Sequence, residues 1–130
     1  MRVLGLDPGT RKCGYALITG VGEKPLALGI APLDALTATV RDLAARETVD
    51  IVALGGGTNS AVVSAIIGDL GLHYELVDER ETTLRARGRF FCDHPPRGWK
   101  RLIPRGMLLP DRPIDDYAAL LIAERYLTRS

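Results

Sequence analysis

No stretch of this 130-residue chain approaches the ~20 consecutive apolar residues that a membrane-spanning helix needs. Its first residues also lack the basic-then-apolar layout of a secretory leader, so a cytoplasmic protein with no membrane partner is expected. Cysteine is scarce. The two thiols, Cys13 and Cys92, form neither a disulfide framework nor a metal-binding or redox spacing; both are expected to be reduced, with Cys13 in the core. The glycines at 55, 56 and 57 are not followed by the Lys-Ser/Thr pair of a Walker loop, which excludes that nucleotide-binding class.

What is present fits a single domain over residues 1–130, long enough to bury about two thirds of its unfolded surface without disulfides or structural metals. The formal net charge of +1 conceals an asymmetry. Residues 80–112 hold nine Lys or Arg against three acids, a local balance of +6, which leaves −5 for the rest. Such segregation suits a polyanion-binding face beside an acidic centre, although a solvated helix face followed by a charged loop would give the same balance.

The organising stretch is residues 3–18. An apolar run ends in Asp7, a Pro8-Gly9 turn follows, and a second apolar run begins, which predicts a hairpin whose first strand is buried on both faces. A carboxylate terminating such a strand is either a turn-former or a metal ligand. A third strand is expected over 26–31, then a helix capped by Asp34 and running to about Glu47. A buried fourth strand parallel to the first follows at 50–54. The glycine-rich turn at 55–60 opens a helix from Ala61 to about Leu70. It is either a plain strand-to-helix turn capped by Asn59 or Ser60, or an anion site made by backbone amides.

A fifth strand is expected over 72–77, with Leu72, Tyr74 and Leu76 on one face. Next comes a helix through Leu84, Ala86 and Phe90, with Arg80, Arg85, Arg87 and Arg89 around its exposed sides. Five prolines between 95 and 113 forbid a continuous element, so residues 92–113 read as a long loop. Pro113 then starts a final helix with Asp115 and Asp116 in its first turn. The predicted architecture is α/β, a five-stranded mixed sheet with three antiparallel strands followed by parallel ones, flanked by helices.

That arrangement brings the ends of strands one and five to one edge, within reach of the first turn of the last helix. Asp7, Glu79 and Asp115 or Asp116 can then share a cavity, which requires cations. Hard divalent ions, Mg²⁺ or Mn²⁺, are the expected partners, and a pair of them suits phosphodiester displacement.

Three blocks carry a resemblance. Residues 4–16, 77–86 and 114–121 are similar, in order, to the opening strand and turn, the Asp-Glu-Arg block and the closing acidic helix of the YqgF (RuvX) family. That family belongs to the RuvC-like branch of the ribonuclease H fold and comprises Holliday-junction resolvases and nucleases of ribosomal RNA precursors. The turn after the fourth strand and the length of the 92–113 loop depart from its pattern. The resemblance implies a metal-dependent endonuclease in which Asp7, Glu79 and Asp115 are catalytic and bind the metals, with Asp116 as a further ligand. Of the last two acids, Asp115 matches the family position, and helical spacing turns Asp116 about 100° away.

Structured RNA, branched DNA or single-stranded DNA is the implied partner, bound by a monomer or a homodimer. Arg11, Lys12, Arg80, Arg85, Arg97, Lys100, Arg101 and Arg105 are the candidate phosphate contacts. Trp99 either stacks on an open base or tacks its loop onto the core or a second copy. Two rivals bear weighing. Actin-like ATPases and sugar kinases open with a similar Asp-x-Gly-Thr turn but need two such domains, and this chain supplies one. A binding module of the same fold that cuts nothing is the alternative, since fold does not fix function.

Overall fold

In a computed structural model, residues 1–56, 59–77, 86, 89–90, 93–94 and 114–128 are described. Strand β1, Val3–Pro8, lies at the centre of the sheet, because Val3, Leu4, Gly5 and Leu6 have no polar side chain to keep in water on either face. On one side it pairs antiparallel with β2, Lys12–Ile18, which pairs in turn with β3, Ala27–Pro32. On the other side it runs parallel to β4, Ile51–Gly55, and β4 runs parallel to β5, Tyr74–Val77. The order β3-β2-β1-β4-β5 is the mixed sheet expected from the sequence.

Two layers of helix cover it. Leu36, Val40 and Leu43 of α1, Leu36–Arg46, pack with Val63 and Ile67 of α2, Ser60–Asp69, over Leu4, Leu6, Leu17, Val52 and Leu54. Helix α3, Asp115–Thr128, covers the opposite face, where Ala118, Ala119, Ile122 and Ala123 meet Val3, Ala16, Ile18 and Ala53. Small residues along α3 let it approach closely. Ala86 and Phe90 are buried in the same layer, as their spacing predicted.

Three expectations change. Asp34 does not cap α1: it sits in a 3₁₀ turn, Leu33–Ala35, Ala35 takes the cap position, and the amide of Leu36 is bonded to the Leu33 carbonyl instead. Strand β5 begins at Tyr74, and the apolar face assigned to it is open, with Tyr74 36% and Leu76 59% exposed. Leu72, on the same face, packs on the α1–α2 layer while Tyr74 and Leu76 of this edge strand stay open, so the alternation alone does not report burial. Arg89 is half-buried and not simply solvated. Its guanidinium lies 2.6 Å from Glu124 Oε1, and Glu124, only 6% exposed, also accepts the amide N–H of Gly22 at 3.0 Å.

Candidate active site

Alternation along β1 puts Val3, Gly5 and Asp7 on the face toward α3. Asp7 is the penultimate residue of the strand and stands opposite Gly14 in the β1–β2 ladder. Gly14 is required by close approach. A Cβ there would fall on the carbonyl of Asp115, just as one at Gly5 would fall on the carbonyl of Ala119. The two glycines let α3 lie directly on the hairpin, bringing its first turn over the end of the sheet that carries Asp7.

The helix opens with its two acids, where the exposed amides of a helix N-terminus favour negative charge. They differ in setting. Asp115 is partly exposed, and its Oδ2 lies 3.7 Å from Lys12 Nζ on the neighbouring strand, a loose and solvated pair worth ~0–1 kcal/mol. Asp116 is 5% exposed, and its Oδ1 accepts the amide N–H of Tyr117 at 3.0 Å. Asp116 is thus held against the protein while Asp115 faces outward beside Lys12.

Cys13 reports the charge at this edge. It is a free, fully buried thiol on β2, as expected. Burial pushes it up to about 12, the negative charges of Asp7 and Asp115 push in the same direction, and a hydrogen bond from the Asp7 backbone opposes them. Both carboxylates therefore act on one neighbourhood.

The turn between β1 and β2 is fixed from three sides. The Gly9 amide donates to the Lys12 carbonyl at 2.9 Å, and the Leu33 amide donates to the Arg11 carbonyl at 3.0 Å. The Asn59 side-chain amide donates to the carbonyls of Gly9 at 2.8 Å and Thr10 at 3.2 Å. Sequence reasoning offered Asn59 as a helix cap. It does occupy the N-cap position of α2, yet its side chain caps nothing and reaches across to the hairpin instead. Only its place between a strand end and an apolar helix pointed to it.

Asp7, Asp115, Asp116, Arg11 and Lys12 thus gather at the β1–β2 turn and the start of α3, with Arg11 exposed on the turn itself. Glu79, Asp78, Arg80, Arg85, Arg97, Trp99, Lys100, Arg101 and Arg105 lie outside the described residues, as do Cys92, Gly57 and the 95–113 part of the expected loop. Among the described residues no three His, Cys, Asp or Glu side chains converge to hold a metal ion. The acids present at this edge are hard oxygen donors and fit Mg²⁺ or Mn²⁺, not the softer metals that favour sulfur and imidazole. Among the described residues no helix is long and apolar enough to cross a membrane.

Against models of known protein families the chain matches none. Over 24 residues it is 62% identical to the crossover junction endodeoxyribonuclease RuvC of Helicobacter pylori strain G27, a match covering 18% of this chain and 15% of that protein. In three dimensions it is similar to RuvC of Thermus thermophilus in complex with a Holliday junction substrate. The TM-score is 0.62 at 15% identity, covering 100% of this chain and 96% of that one. The Fowlpox virus resolvase bound to Holliday junction DNA gives a TM-score of 0.62 at 14% identity, over 99% and 98% of the two chains. The fold is the RuvC-like, ribonuclease H-like α/β fold.

Proposed function

We propose that this chain is a divalent-metal-dependent endonuclease that hydrolyses phosphodiester bonds in branched DNA. The observation that carries the reading is the delivery of Asp115 to the Asp7 end of the sheet by the close contact of α3 with Gly14. Two carboxylates fixed on different rigid elements, with Lys12 and Arg11 beside them, are suited to holding hard cations next to a phosphate. Glu79 supplies the third acid. When bound, Mg²⁺ or Mn²⁺ ions would lower the pKa of an attacking water and stabilise the charge on the leaving oxygen. Asp7, Glu79 and Asp115 would hold them, with Asp115 as principal ligand of the last pair and Asp116 as its supporting neighbour. The water oxygen bonds to phosphorus and gives up a proton, the bridging P–O bond breaks, and the leaving oxygen takes up a proton. The fold shared with proteins seen on Holliday junctions supports a branched DNA substrate.

The basic residues of the 80–112 stretch supply the substrate contacts in this reading. Arg80, Arg85, Arg97, Lys100, Arg101 and Arg105 neutralise phosphates, and Trp99 stacks on an unpaired base. A second reading, processing of a ribosomal RNA precursor, is favoured by the likeness of residues 77–86 to the Asp-Glu-Arg block of the YqgF (RuvX) family. Cleavage of a four-way DNA junction and of structured RNA, each in Mg²⁺ and in Mn²⁺, tests both. Asp7→Asn and Glu79→Gln should abolish cutting while sparing binding. A Glu79→Gln protein that cuts at the wild-type rate removes Glu79 from the site, and a wild-type protein that binds both substrates but cuts neither is a binding module.

A further inference from the structure

Strand β1 outruns its parallel neighbour. Its register with β4 ends at Leu6 opposite Leu54, whereas its register with β2 continues through Asp7 opposite Gly14 and Pro8 opposite Cys13. Asn59 stands where the ladder stops. It follows β4 by four residues, and its side-chain amide holds the carbonyls of Gly9 and Thr10, the residues that come directly after the end of β1. On the opposite side, the Leu33 amide holds the carbonyl of Arg11.

We infer that Asn59 is a positioning residue for Asp7, fixing the turn that directly follows the acid-bearing end of β1. An Asn placed at the N-cap of α2 with its side chain turned away from that helix forgoes the side-chain cap that stabilises a helix start. The hairpin receives two hydrogen bonds in exchange. Both come from one planar amide, which offers two N–H donors to neighbouring carbonyls and so constrains the orientation of the turn as well as its distance. A group that orients a ligand-bearing segment in this way affects metal affinity without touching the metal.

The inference rests on the proposed metal-dependent site, and its test separates the two. Asn59→Ser is the informative variant, because serine is a good N-cap and protects α2, whereas its short hydroxyl cannot span to the hairpin. Asn59→Ala is made alongside it. Three readouts are needed: the melting temperature, hydrogen exchange of the amides of Gly9 and Leu33, and Mn²⁺ affinity measured by calorimetry without nucleic acid. For Asn59→Ser the melting temperature should hold, exchange at the two amides should accelerate, and Mn²⁺ affinity should fall roughly 10-fold. Unchanged exchange and unchanged affinity would overturn the inference, and so would a drop in melting temperature with exchange accelerated across the whole sheet. If the wild type binds no Mn²⁺, the metal reading fails, and with it the role toward Asp7 as a ligand; faster exchange confined to the hairpin would then establish the clamp alone.

Discussion

The carbonyl of Asp115 lies where the Cβ of residue 14 would stand if that residue were anything but glycine. Gly14→Ala should therefore lift the first turn of α3 from β2 and carry Asp115 and Asp116 away from Asp7. Overpacking of this kind costs ~1–3 kcal/mol. Gly5→Ala meets the same helix further along, at Ala119 and Ala123, and should lower the melting temperature similarly. Only Gly14→Ala should weaken Mn²⁺ binding out of proportion to its loss of stability, and equal effects on metal affinity from the two variants would contradict that.

Lys12 holds two expectations in tension, since it is placed to meet a phosphate but rests 3.7 Å from the Asp115 carboxylate. Lys12→Gln removes a like charge from the neighbourhood of a bound cation, so Mn²⁺ affinity should rise. Junction binding should weaken, with the slope of log affinity against log salt flattened by somewhat under ~1 unit. Calorimetry with and without DNA measures both.

Glu124 is a structural acid at the other end of the sheet. Its buried carboxylate joins α3 to Arg89 and to the β2–β3 turn at Gly22. Glu124→Ala should destabilise the fold by roughly 1–3 kcal/mol, discounted because Arg89 retains solvent access. Cleavage by the folded fraction should be unchanged. Chemical denaturation and a cleavage assay on the same sample distinguish this from a catalytic role.

Cys13 gives a pH dependence. Its thiol is raised in the folded chain to about 12 from an ordinary 9.0, so the folded state keeps a proton that the unfolded state gives up. The contribution is fully present below pH 9.0 and is lost as pH rises toward about 12. Melting temperatures across that window should fall less steeply for Cys13→Ala than for the wild type. Asp7→Asn should leave the onset of the fall unchanged but make it smaller and end it at lower pH, because it removes a negative charge that opposes ionisation in the folded state.

Asp115→Asn and Asp116→Asn decide between the last two acids. Metal titration should show the larger affinity loss at Asp115, the residue facing Lys12. Asp116 bonds its own helix start, so its variant should act more on stability. A larger affinity loss at Asp116 reverses the assignment.

The central strands were legible because burial on both faces leaves a mark that neighbours cannot change: Val3 to Leu6 and Ile51 to Leu54 are apolar without interruption. The hairpin was legible from its Pro8-Gly9 turn between two apolar runs, and α3 from Pro113 followed by apolar residues at helical spacing. Tyr74 and Leu76 misled because alternation records which residues share a face, whereas exposure depends on whether a helix reaches that face. Asn59 and Arg89 were misread on different grounds. The first is a good cap in isolation and the second a good surface cation, and each met a partner far away in sequence that composition could not reveal.

The acids of the candidate site are divided between the first strand and the helix that lies last in the sequence. A growing chain emerging from the ribosome therefore presents Asp7 early, on a local hairpin, but gains Asp115 only when α3 has been synthesised and has docked against Gly14. Until then it carries the basic residues of 80–112 without a paired acidic edge. On the proposed reading, a copy without α3 keeps the basic stretch but not Asp115, so it should bind nucleic acid without cutting it.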